Sequence, residues 1–296
     1  MNKVTSSPAP SRALGMAGLT GALLLAFSGV VIPQASAAQP ATVDEYQVKL
    51  RLDDGILDSS GELTGDAADY FGLSGENASG GSVEQSVYVD TPGTDFADKG
   101  WSLRLRHKAG ADGYDLTYKY RAPLDDNSLS AQSVDDALAA AKDNNFDSSD
   151  SNYSPQVNAS YTTSTLDFSN KKSADCLTDD CAIPSSDDVV GLLDDKLPGK
   201  FTTATGTDLA GSDATASQVV TQRSWKVSVP TEDGTVDADL EVTAMSGGYF
   251  VEITSETDER EEAVDIRDSL TSALDDRGIL RHGDAFKTGL ILDGAL

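Results

Sequence analysis

Three short segments place basic side chains at alternate positions: Lys49 and Arg51 in Glu45–Leu52, Arg104, Arg106 and Lys108 in Leu103–Lys108, and Lys119 and Arg121 in Tyr114–Arg121. Alternate residues of a strand point to opposite faces. Each segment therefore reads as a strand with one charged face and one face of Tyr, Val and Leu. Arginine offers paired N–H donors that match phosphate oxygens, and lysine adds a point charge. Such a set can hold a small polyanion. A polar face on one strand is ordinary for a half-solvated sheet. Here the whole chain carries a net charge of −27, yet residues 99–121 hold six basic residues and two acidic ones. Positive charge gathered against that background needs a partner.

The last third supplies carboxylates. Asp237, Asp239 and Glu241 share a face of Val236–Ala244, and Glu252, Thr254 and Glu256 share a face of Tyr249–Glu256. Hard carboxylate oxygens bind Mg²⁺ or Mn²⁺, and these ions bridge phosphate oxygens. If both faces line one cavity, it holds metal ligands beside phosphate ligands.

These segments, taken in order, resemble the CYTH superfamily, the triphosphate tunnel metalloenzymes. Glu45-Tyr46-Gln47-Val48-Lys49 is similar to the E-x-E-x-K signature, and Tyr88-Val89-Asp90-Thr91-Pro92 to Y-x-D-T-P. Gly100-Trp101-Ser102-Leu103-Arg104-Leu105-Arg106 resembles G-x-x-L-R-x-R, and Leu116-Thr117-Tyr118-Lys119 resembles L-T-x-K. Arg223-Ser224-Trp225 resembles an R-x-[YW]-like strand of thiamine-triphosphatase-like members, and Gly248-Tyr249-Phe250-Val251-Glu252 resembles the family's G-x-F-x-E segment near the end. The resemblance spans residues 45–256 and leaves the polar stretch 123–221 unmatched.

What it implies is a mainly β, α+β fold: an antiparallel eight-stranded tunnel barrel with flanking helices. By the same resemblance Lys49, Arg104, Arg106, Lys119 and Arg223 grip phosphate. Simple alternation sets Arg223 beside Trp225 and Val227 on the apolar side, so Lys226 is its alternative. Glu45 and Glu252 are the implied ligands of Mg²⁺ or Mn²⁺, with Gln47, Asp239, Glu241 and Glu256 completing the candidate set. Two departures thin this set, because Gln47 and Thr254 stand where the pattern has Glu.

Other elements must carry these strands. Ser133 is expected to cap a helix over Val134–Lys142, and a second helix runs from about Asp187 to Leu197, before Pro198-Gly199. Residues 144–185 lack apolar periodicity and read as a loop, so 123–221 reads as a polar insertion rich in Ser, Asp and Thr. A later helix has Thr257 as its expected N-cap and Arg277-Gly278 as its exit. Its apolar positions Ala263, Ile266, Leu270, Ala273 and Leu274 fall on one face, suited to packing outside a sheet.

Residues 1–37 read as a Sec-type signal peptide: Lys3 and Arg12, an apolar run from Leu14 to Ile32, then Ala35-Ser36-Ala37. Its removal takes away two basic residues and no acidic one, moving the charge from −27 to −29. The rest, 38–296, is expected as one secreted CYTH-like domain with no membrane contact after cleavage. Its charge repels nucleic acid and anionic lipid. Cys176 and Cys181 are expected to close a local disulfide in an oxidising compartment. Zinc is disfavoured, since His107 and His282 are the only other soft ligands.

Two functions follow. One is metal-dependent hydrolysis of inorganic triphosphate or a triphosphate-bearing small molecule. The alternative is a non-catalytic exported protein that binds polyphosphate or an organophosphate. Cyclase chemistry is disfavoured because nucleotide is scarce outside the cell. Oligomeric state is not legible.

Overall fold

Alternation along the chain becomes one sheet in the computed structural model, which describes residues 39–73, 75 and 80–294. The expected leader, 1–37, lies outside these residues. The strands are β1 Glu45–Leu52, β2 Ser82–Asp90, β3 Trp101–Lys108, β4 Gly113–Pro123 and β5 Ser154–Ala159. They continue with β6 Ser164–Asp175, β7 Thr215–Ala216, β8 Val220–Thr231, β9 Gly234–Met245 and β10 Gly248–Thr257. Their order is β3-β4-β6-β5-β1-β10-β9-β8-β2-β7, and β2 also pairs with β3. That last pairing closes nine strands into a ring, with the short β7 beside β2. Neighbours are antiparallel except β1 and β5, which run parallel.

The fold is α+β and rich in sheet, but with ten strands where eight were expected. Two of the ten, β5 and β6, come from the segment read as a loop. The polar stretch is thus a working part of the sheet. Its strands escaped notice because one face of β6 carries Thr165, Asp167 and Ser169, buried although polar. A strand whose buried face is polar on one side and bears only Leu166 and Phe168 on the other has little apolar signal.

The apolar core lies outside the ring. Tyr46, Val48, Leu50 and Leu52 of β1 are buried, as are Leu103 and Leu105 of β3 and Leu240 and Val242 of β9. Helices cover this outer face: α1 Gly65–Tyr70, α2 Ala131–Asp143, α3 Ser186–Asp194, α4 Gly199–Thr205 and α5 Arg260–Asp276. On α5, Ala263, Leu270 and Leu274 are fully buried against β1, β8 and β10. Each such leucine contributes roughly 1.5–3 kcal/mol by leaving water. A sixth helix, α6 Lys287–Leu292, instead packs Ile291 with Tyr88 and Val220.

Helix starts differ from expectation by one to three residues. Ser130, not Ser133, caps α2, its Oγ accepting from Ser133 N at 3.1 Å. Ser185 caps α3, which ends at Asp194 rather than Leu197. The N-cap position of α5 is Glu259, and Thr257 Oγ1 accepts from Glu259 N at 3.2 Å. The expected disulfide joins Cys176 and Cys181 with Cα atoms 5.0 Å apart.

Two motif residues serve the backbone. Asp90 ends β2 and accepts from Thr91, Phe96 and Ala97 N–H groups, knitting the turn into β3. Gly100 has φ of 80°, and a Cβ there would meet Arg121 O at 2.6 Å. Only glycine fits that approach.

Candidate functional site

Strand pairing turns the polar faces toward one cavity of about 190 Å³. Lys49 enters from β1, Arg104 and Arg106 from β3, Lys119 and Arg121 from β4, and Lys287 from α6. Three carboxylates, Glu84, Glu241 and Glu252, line it as well. Basic groups therefore outnumber acidic ones two to one at this surface, inside a chain of net charge −27.

Several of these cations are pre-positioned by acids. Arg106 lies 3.2 Å from Glu84 Oε2 and 2.8 Å from Asp115 Oδ2. Lys119 Nζ lies 3.0 Å from Asp167 Oδ2, and Arg121 Nε lies 3.1 Å from Asp167 Oδ1. Burial acts to raise the Asp167 carboxyl, but Lys119 and Arg121 outweigh it and hold the group below its ordinary range. Burial also pulls Lys119 down to about 8 despite Asp167, and Lys49 and Arg121 push the same way. On Arg104, burial acts against the charge, but Tyr88 and Glu84 outweigh it and the guanidinium is raised.

Two residues of the lining also carry polar atoms without a protein partner. Among the described residues, Arg104 Nε and both amide atoms of Asn158 lack a hydrogen bond and are buried. Leaving such a group unpaired costs about 1–3 kcal/mol. Of these, Arg104 Nε and Asn158 Nδ2 are donors on residues that line a basic cavity, and donors suit the oxygens of an anion.

A divalent ion fits this site poorly. The six candidate ligands are split. Glu45 accepts from Gln156, Gln47 donates to Glu256, and Asp239 pairs with Lys226 at 2.7 Å. Only Glu241 and Glu252 line the cavity, directly opposed across the β9–β10 pair. Between them comes Lys287 Nζ, 3.0 Å from Glu241 Oε2 and 4.0 Å from Glu252 Oε1. Burial acts to lower the Lys287 ammonium, but Glu241 and Glu252 outweigh it and raise it. Among the described residues no group of three or more His, Cys, Asp or Glu is arranged to hold a metal.

No family model and no curated protein matches the chain. Solved structures do. A Hippeastrum protein, described as a candidate adenylyl cyclase with a dominant triphosphatase activity, is 16% identical. The match covers 84% of this chain and 95% of that one, with a TM-score of 0.48. A candidate adenylate cyclase from Bacillus halodurans is 10% identical over 83% of this chain and 98% of that one, with a TM-score of 0.45. The site's chemistry rests on its own residues.

Of the six expected phosphate ligands, Lys49, Arg104, Arg106 and Lys119 meet in the cavity. Arg223 does not. It pairs with Glu62 and lies over the Trp225 ring, on the apolar side that simple alternation assigns it. Lys226 is also outside, its side chain 87% exposed beside Asp239. Both were expected from the late strand, but the part of β8 that reaches the cavity is Gln222. Sequence reading did not name Arg121 among the candidates, although it shares the face of Lys119 and lines the cavity. It also missed Lys287, Glu84 and Asn158. Lys287 opens a short apolar run, Leu290-Ile291-Leu292, and only that run hinted at packing against the sheet.

Proposed function

We propose that the protein binds a short polyphosphate, of the size of inorganic triphosphate, inside the strand ring. The observation that carries this reading is the convergence of Lys49, Arg104, Arg106, Lys119, Arg121 and Lys287 on one cavity of a strongly acidic chain. Crowded cations are costly without a counter-charge, and the three lining carboxylates together with Asp115 and Asp167 leave the six cations one positive charge in excess. Arg104 Nε and the Asn158 amide add unpaired polar groups.

Size narrows the ligand. Pockets that enclose drug-sized molecules span roughly 300–1,000 Å³, and this cavity is about 190 Å³. A bare phosphate chain suits it better than a nucleoside triphosphate. The geometry favours binding over metal-dependent hydrolysis, because the candidate metal ligands are dispersed and the remaining pair is already bridged by Lys287. The CYTH-like motifs agree with a phosphate grip. The basic leader and its A-x-A exit agree with export, and an N-terminus at Ala38 in protein recovered outside the cell tests that part.

Titration calorimetry and thermal unfolding of the mature protein with inorganic triphosphate, pyrophosphate, orthophosphate and ATP test the reading. Triphosphate is expected to bind and to raise Tm by mass action, through a stabilisation of about 2.7 kcal/mol at a hundredfold excess over Kd. ATP is expected to bind more weakly, and phosphate release is expected to be absent. No binding of triphosphate at millimolar concentration overturns the reading, and sustained phosphate release overturns its non-catalytic part.

A further inference from the structure

We propose that Lys287 is the resident counter-cation of the cavity, seated where a divalent ion would have to bind, so that the protein holds its polyphosphate without metal. The inference rests on the polyphosphate reading above.

Glu241 and Glu252 stand opposite one another on adjacent strands. Two carboxylates so placed repel unless a cation lies between them. Lys287 Nζ supplies it, at 3.0 Å from Glu241, 4.0 Å from Glu252 and 2.8 Å from Gln222 Oε1. An ammonium has three N–H donors and accepts nothing, so this seat of oxygens matches it. The Gln222 oxygen is held toward Lys287 by a second donor, Thr243 Oγ1, at 3.2 Å. The Phe250 ring closes one side, its centroid 5.8 Å from Nζ.

The lysine is also delivered to a fixed place. Just before it, Asp284 accepts from the backbone N–H groups of Tyr161 and Thr162 and from the hydroxyls of Thr162 and Thr163. Phe286 lies under the Arg121 guanidinium, 4.8 Å from ring centroid to Cζ. Beyond it, Ile291 packs against Tyr88 and Val220. Anchors on both sides hold the ammonium in the cavity before any ligand arrives. Mg²⁺ demands near-octahedral oxygen ligands at about 2.0–2.1 Å. Reaching Glu241 and Glu252 would require it to displace a tethered cation. It would also have to enter beside five other positive side chains, counted from the cavity lining.

The test uses the mature full chain. Inorganic triphosphate is titrated calorimetrically with excess chelator and, separately, with Mg²⁺. Mn²⁺ alone is titrated while free Mn²⁺ is read by electron paramagnetic resonance. Wild type is expected to bind triphosphate in chelator at least as tightly as with Mg²⁺, which competes for the anion in solution, and to leave Mn²⁺ free. Lys287→Met is expected to lose roughly tenfold or more in metal-free triphosphate affinity, the scale of a truncated charge pair. It is also expected to take up Mn²⁺ between the two exposed carboxylates.

Wild type that binds triphosphate only with Mg²⁺, or that takes up Mn²⁺ stoichiometrically at the cavity, overturns the inference and leaves the polyphosphate reading standing. Lys287→Met that binds triphosphate as wild type does also overturns it. Absence of triphosphate binding in both solutions removes the polyphosphate reading itself, and this inference with it. The wild-type measurements decide the matter even if Lys287→Met does not fold.

Discussion

Asp167 Oδ2 lies 3.0 Å from Lys119 Nζ, the carboxylate fully buried on β6 and the ammonium on the neighbouring strand β4. Arg121 binds the other oxygen of the same carboxylate at 3.1 Å. One buried acid thus orients two cavity cations and leaves them a net positive charge.

Removing that acid should separate stability from binding. Deleting one partner of a fully buried pair costs about 3–5 kcal/mol. Lys119 and Arg121 are 20% and 28% exposed, so the cost of Asp167→Asn is expected to be lower, about 2–3 kcal/mol. Triphosphate should restore much of it, because a bound anion replaces the lost charge. Chemical denaturation with and without triphosphate measures both effects. Equal stabilisation of wild type and variant by the ligand would show that Asp167 and the anion do not share these cations.

Affinity should depend on pH through Lys119. Its ammonium titrates at about 8, lowered chiefly by burial. Below that pH the group is charged and attracts the anion. As pH rises through it, the free protein loses the proton and binding weakens. Lys119→Arg keeps its charge throughout this range. The ligand's own titration is common to both proteins and cancels in the comparison. Calorimetry from mildly acidic to alkaline pH should show wild type weakening relative to Lys119→Arg, and parallel curves would remove Lys119 from the site.

The four late and early arginine and lysine candidates should divide cleanly. Arg104→Ala and Arg106→Ala should each weaken triphosphate binding by roughly 10- to 100-fold, the scale of a charge-assisted hydrogen bond of about 1.5–3 kcal/mol. Arg223→Ala and Lys226→Ala should leave affinity nearly unchanged, because their partners are Glu62 and Asp239, away from the cavity. A large loss for Arg223→Ala would contradict its placement.

The disulfide should matter modestly. Cys176 and Cys181 are five positions apart. Loop-closure entropy for so short a ring stabilises by about 2 kcal/mol, against about 3 for fifteen residues. A Cys176→Ser/Cys181→Ser double variant should therefore keep the triphosphate affinity and lose a small part of its denaturant midpoint. Loss of binding in the double variant would tie the loop to the cavity.

Alternation alone determined which strands carry charge on one face and apolar groups on the other, and β1, β3, β4, β9 and β10 follow it. The reason is local: side chains on a strand alternate whatever the strand packs against. The helical face of α5 was legible on the same ground, since Ala263, Leu270 and Leu274 recur at helical spacing and are buried. Only the tertiary structure decided which charges share a cavity. Asp239 and Glu241 sit on one face of β9, yet one pairs outside with Lys226 and the other inside with Lys287, because a strand running along the ring leaves the cavity within two residues. Strands β5 and β6 were hidden because a face buried against a polar cavity needs no apolar residues. Lys287 was invisible for a simpler reason. Its partners Glu241 and Glu252 lie 46 and 35 positions earlier in the chain, and nothing in the spacing of a lysine announces the carboxylates that the folded chain brings to it.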